Sequence, residues 1–143
     1  MTTLQLTTVF IIIAALAAAA TLAQRAHAQA KGPVQTGDAA KRINVEEFDK
    51  MRADTNYVVL DVRTSKEFSA GHVPRAVNIS VNSSDFEAKA AALSKEKPCL
   101  VYCAAGVRSA KAVQELHRIG FKQLFDFRGG WLAWREAGKP VEK

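Results

Sequence analysis

Two short apolar runs, Tyr57–Val62 (YVVLDV) and Cys99–Cys103 (CLVYC), constrain this chain more than any other feature. Each is too short for a helix and too apolar to leave one face in water, so both read as buried strands. Helical signals fill the chain around them. Asn44-Val45-Glu46-Glu47 has the form of a capping box and predicts a helix to about Arg52. Ser65 caps a helical turn that Gly71 ends, and Asp85–Leu93 is alanine-rich and helical. From Arg108 to Ile119 apolar residues recur at Ala112, Val113, Leu116 and Ile119, with Gly120 as the stop. Ala76–Ile79 (AVNI) and the alternating Phe121–Phe127 add two strand candidates. Gly129-Gly130 opens a last short helix whose Trp131 and Trp134 are spaced for core packing. Strands alternating with helices imply right-handed crossovers. The fold class is therefore α/β, with a mostly parallel central sheet covered by helices on both faces.

The N-terminus stands outside this pattern. Val9–Ala23 is an uncharged, mostly apolar run of fifteen residues. A bilayer-spanning helix needs ~20, so the run has the length of a signal-peptide core. Ala26-His27-Ala28 supplies the small-x-small pattern of a cleavage site. Residues 1–28 are expected to be a signal peptide cut after Ala28, 29–42 a flexible lead-in, and 43–140 the folded domain. The expected location is periplasmic, with membrane association only if the leader stays uncleaved. Cleavage removes one (Arg25) of 20 basic residues and none of the 14 acidic ones, leaving a net charge of +5. No basic run exceeds two residues (Lys41-Arg42), so the excess is a solvated surface and no nucleic-acid partner is expected.

Chemistry concentrates in one segment, Cys103-Ala104-Ala105-Gly106-Val107-Arg108-Ser109. It runs from a buried strand into a helix, at the sheet edge where ligands bind in open α/β folds. A loop there can curl its amides around a common centre, and the positive end of the following helix reinforces that nest. Ala104, Ala105 and Gly106 leave the curl unobstructed. A thiol at the mouth of the nest is favoured as its anion and becomes a usable nucleophile. The reading therefore expects Cys103 to be accessible. Cys99, among apolar strand neighbours, is an ordinary buried cysteine. Four strand residues at ~3.3 Å each hold the two apart by ~13 Å, too far for a disulfide. Arg108 has two roles open to it: binding an anionic donor, or pairing inward with Asp61 or Glu67 to hold the loop. Asp61 and Arg63, at their strand end, read as loop-bracing, and His72 before Pro74 as a turn-holding histidine.

In its ordered motifs the chain resembles a single-domain rhodanese from about Ile43 to Gly138. The motifs are Asp61-Val62-Arg63, Glu67-Phe68, Gly71-His72-Val73-Pro74, Ala76-Val77-Asn78-Ile79, Tyr102-Cys103-x-x-Gly106-x-Arg108-Ser109 and Gly129-Gly130-Trp131. The resemblance implies a sulfurtransferase of the thiosulfate type. Cys103 would be its catalytic residue, cycling between thiolate and persulfide. Ala104, Ala105, Gly106, Val107, Arg108 and Ser109 would line the substrate, and Asp61, Arg63 and Glu67 would brace the loop. It implies no metal or organic cofactor. The partners are a small anionic sulfur donor and a thiol or cyanide acceptor, with a protein acceptor as the alternative. A second reading is therefore a sulfur-carrier or protein-binding module with little small-molecule turnover. A cysteine phosphatase is the third: phosphatases of similar shape place five residues between Cys and Arg, but only Ala104–Val107 intervene here. Efficient thiosulfate-using members often carry basic side chains where Ala104 and Ala105 stand, which points away from thiosulfate as the natural donor.

Overall fold

A computed structural model describes residues 39–143. The expected signal peptide, its expected cleavage point and most of the expected lead-in lie outside the described residues. Strands β1 (Lys41–Ile43), β2 (Val58–Asp61), β3 (Val77–Asn78), β4 (Cys99–Tyr102) and β5 (Leu124–Phe127) alternate with five helices. These are α1 (Val45–Arg52), α2 (Ser65–Ala70), α3 (Phe86–Ala91), α4 (Val107–Arg118) and α5 (Gly130–Glu136). The strands form one sheet in the order β1-β5-β4-β2-β3, every neighbouring pair parallel. The expected α/β fold with a parallel sheet is what the chain adopts.

Side-chain alternation along the strands sorts the core into two layers. Leu60, Val62, Cys99, Val101, Cys103 and Leu124 face the side covered by Phe86 and Ala90 of α3 and Ala112, Val113 and Leu116 of α4. Val59, Leu100, Tyr102 and Phe127 face the opposite side, covered by Phe48 of α1 and Trp134 of α5. Phe48 stacks on Phe127 (centroids 4.5 Å apart) and meets Trp134 edge-on at 5.7 Å. Such pairs add about 0.5–1.5 kcal/mol each beyond burial. The Trp134 indole N–H donates to the Pro140 carbonyl at 2.7 Å, so that buried ring keeps its donor satisfied.

Local chemistry sets most element ends, with three departures from expectation. The Asn44 box forms, Asn44 Oδ1 accepting from the Glu47 amide (2.9 Å) and Glu47 reaching back to the Asn44 amide (3.0 Å). Helix α2 is capped by Thr64 rather than Ser65, because Thr64 and Glu67 complete a second capping box. The sheet starts at Lys41, inside the stretch read as flexible lead-in. Lys41–Ile43 pairs with Phe125–Phe127, and Ile43 is buried. That strand escaped notice because two of its three residues are charged and exposed. The last strand is shorter than Phe121–Phe127: Phe121 packs with α4 and Phe127 on the opposite layer, so the apparent alternation breaks before the strand begins.

Candidate active site

Strand β4 delivers Cys103 to the carboxyl edge of the sheet, where the chain leaves for α4. Period-two alternation through Cys99, Val101 and Cys103 turns the thiol toward the α3/α4 layer. Cys103 is only 1% exposed. This corrects the expectation of a thiol open at the loop mouth: strand parity carries the sulfur under the loop, and the loop closes over it. The Gly106 amide supplies the closure, donating to Cys103 Sγ at 3.1 Å. Gly106 is the N-cap of α4, with φ +92°. That left-handed conformation, and the Arg128 carbonyl only 2.6 Å from where a Cβ would stand, restrict the position to glycine.

The loop is held from outside. The Trp131 amide donates to the Cys103 carbonyl (2.8 Å) and the Leu132 amide to that of Ala104 (3.1 Å), tying the loop to the first turn of α5. Among the described residues, the amides of Ala105, Val107 and Arg108 have no acceptor. They join the positive end of a twelve-residue helix beside the sulfur. Ala104 is half-buried, Ala105 exposed, and Val107 81% exposed. Leu132, at 60%, extends this apolar rim. Cys99 is fully buried in the same layer, and burial pushes its thiol up to about 12, which leaves it inert.

Arg108 turns inward. Its guanidinium grips Glu67 through two bonds, Nη1 to Oε2 (2.7 Å) and Nη2 to Oε1 (2.8 Å). Of the two carboxylates in question, Glu67 is the partner and Asp61 is not. Asp61 instead forms a buried bidentate pair with Arg63 (2.7–3.1 Å). Arg63 also donates to the Gly71 carbonyl and lies 4.6 Å from the Trp131 ring centroid. Asp61 and Arg63 thus pair with each other beside Tyr102 and Trp131, the residue before Cys103 and the one whose amide holds the Cys103 carbonyl. Ser109, expected at the substrate, is fully buried and donates to Asp126 Oδ1 at 2.7 Å. His72 stacks on Phe68 and pairs with Glu142 in an isolated bridge, holding a turn as expected. No cluster of three or more potential metal ligands occurs among the described residues.

Sequence reasoning missed Thr64 and Asp126, and read Gly130 as opening the last helix without its contact with the loop. Thr64 was legible through the Thr-x-x-Glu spacing. Asp126 shares strand parity with Leu124, which places a carboxylate on a buried face. Gly130 (φ +59°) has its place because a Cβ would stand 2.4 Å from the Cys103 carbonyl.

The Glu67 brace predicts a pH dependence. Bonds from Arg108, opposed by burial and helped by Thr64, lower the Glu67 carboxyl from 4.5 to about 2. A depressed carboxyl adds stability that is complete above its unfolded value and lost as pH falls through its folded one. Thermal stability is therefore expected to fall as pH drops from about 4.5 to 2, by about 1 kcal/mol once solvent screening of a partly exposed pair is allowed for. Glu67→Gln should flatten that limb; an unchanged limb would refute the brace.

A family model described as a rhodanese-like domain matches residues 44–137. A sulfurtransferase of Allochromatium vinosum is 30% identical over 100 residues, covering 69% of this chain and 92% of its own length. A thiosulfate sulfurtransferase of Coxiella burnetii is 31% identical over 96 residues, covering 66% of this chain and 87% of its own. A rhodanese-related protein of known structure from Thermoplasma volcanium matches with a TM-score of 0.61 at 34% identity, over 71% of this chain and 97% of that one.

Proposed function

The chain belongs to the rhodanese-like sulfurtransferase family, and from that premise we propose that Cys103 carries a sulfane sulfur as a persulfide between a donor and a thiophilic acceptor. With thiosulfate as donor, the Cys103 thiolate attacks the outer sulfur, the S–S bond breaks, and sulfite leaves with the electron pair. Cyanide then takes the outer persulfide sulfur as thiocyanate, and the thiolate returns. No proton, redox partner or cofactor is needed for either step. The observation that carries the reading is the Gly106 amide on Cys103 Sγ at the head of α4, with neighbouring amides left for a second sulfur.

Donor choice follows from what the loop lacks. Both Arg108 arms are committed to Glu67, and Ala104 and Ala105 bring no charge. Departing sulfite is then met by backbone amides alone, so thiosulfate works as a donor but poorly. The exposed rim of Ala105, Val107 and Leu132 favours a second reading, delivery to a protein thiol. The four-residue loop argues against phosphatase chemistry, as a ring this small fits one sulfur better than a tetrahedral oxyanion.

The test is intact mass followed by turnover. Protein given thiosulfate should gain about 32 Da, and cyanide should remove it with release of thiocyanate. Uptake with kcat/KM well below ~10⁴ M⁻¹s⁻¹ would favour the carrier reading; no uptake from any sulfane donor would sink both. We further propose export to the periplasm with cleavage after Ala28, which the intact mass of the native protein checks.

A further inference from the structure

Asp126 on β5 is 3% exposed, and both its oxygens are taken: Oδ1 accepts from Ser109 Oγ (2.7 Å) and Oδ2 from Arg128 Nε (3.0 Å). Neither partner takes part in the sulfur chemistry above, yet each forms one wall of Gly106. The Ser109 hydroxyl lies 3.2 Å from the Gly106 carbonyl, and the Arg128 carbonyl lies against the Gly106 α-carbon. We propose that Asp126 is a positioning residue for the sulfur site. By gripping Ser109 at the head of α4 and Arg128 at the exit of β5, its carboxylate holds the two groups that flank Gly106, the residue whose N–H donates to Cys103 Sγ. The role rests on Cys103 as the sulfur carrier.

Two physical points favour this over a purely structural pair. Burying an unpaired carboxylate is costly, and an apolar side chain would fill this face more cheaply than a paired one. What an apolar residue cannot supply is an acceptor that orients Ser109. The charge itself does not help a thiolate, since a second anion behind the same helix end opposes it. Acceptor geometry is what remains, and Asp126→Asn, which keeps an acceptor oxygen for Ser109 but turns an amide donor toward Arg128 Nε, removes one of the two grips.

The experiment uses the full chain with Asp126→Ala, Asp126→Asn and Ser109→Ala. Three quantities are read well below Tm: single-turnover sulfur uptake from thiosulfate, donor KM, and hydrogen exchange of the Gly106 amide by NMR, referenced to Leu100 in β4. Asp126→Ala and Ser109→Ala should lose roughly 10-fold in uptake rate with KM unchanged, and Gly106 exchange should rise by a similar factor relative to Leu100. Asp126→Asn should fall between wild type and Asp126→Ala on both readouts. A lowered Tm with unchanged uptake and Gly106 exchange moving in step with Leu100 overturns the proposal. If wild type takes up no sulfur, the functional reading falls, while amide exchange still decides whether Asp126 positions Gly106.

Discussion

Cys103→Ser should take up no sulfur from thiosulfate and release no thiocyanate, a loss of at least about 10⁴-fold in turnover. A serine hydroxyl forms no persulfide, so no weaker version of the same chemistry remains. The fold should survive, because the replacement is nearly isosteric and the Gly106 amide can donate to Oγ as it does to Sγ. Burying a hydroxyl in place of a thiol costs about 1–2 kcal/mol, a Tm loss of several degrees. Cys99→Ser is the matched control: buried, inert and held out of reach along the strand, it should leave uptake intact. A mass gain retained by Cys103→Ser and lost in Cys99→Ser would move the chemistry to the wrong sulfur and end the proposed mechanism.

How much of this was legible in the sequence depends on how local each determinant is. The parallel sheet was readable because β2 and β4 are apolar throughout, as strands covered on both faces must be. Strand β1 was not readable, since Lys41 and Arg42 are exposed and its pairing is set by β5, more than eighty residues away. The loop and its cysteine were legible from the small residues between a strand and a helix. The depth of the sulfur was also available, in the parity that joins Cys103 to Cys99 and Val101, but the anion-binding nest read in the loop drew the expectation outward. The choice of Glu67 over Asp61 for Arg108 was out of reach. Asp61 ends β2 and Glu67 lies in the first turn of α2, and the backbone path through Thr64 decides which one faces α4.

Gly130→Ala should be the most destabilising single change around the loop, at about 3 kcal/mol or more and a Tm loss of roughly 10 °C or more. Two costs add at this position. Its φ of +59° strains any residue with a Cβ, by about 1–2 kcal/mol. The added carbon would also stand 2.4 Å from the Cys103 carbonyl and 2.7 Å from that of Ala104. Both obstacles are backbone of the loop itself, so no side-chain rotation relieves them. Gly138→Ala isolates the first cost: its φ is +64°, but nothing lies within 4 Å of an added Cβ. The difference between the two variants therefore measures how tightly the first turn of α5 is pressed against the loop. Relief of the clash must also lengthen the Trp131 amide bond to Cys103 or the Leu132 amide bond to Ala104, so sulfur uptake should fall along with stability. Equal destabilisation by Gly130→Ala and Gly138→Ala would mean that α5 does not clamp the loop. In that case the sulfur site would depend on the Glu67–Arg108 and Asp126–Ser109 contacts alone.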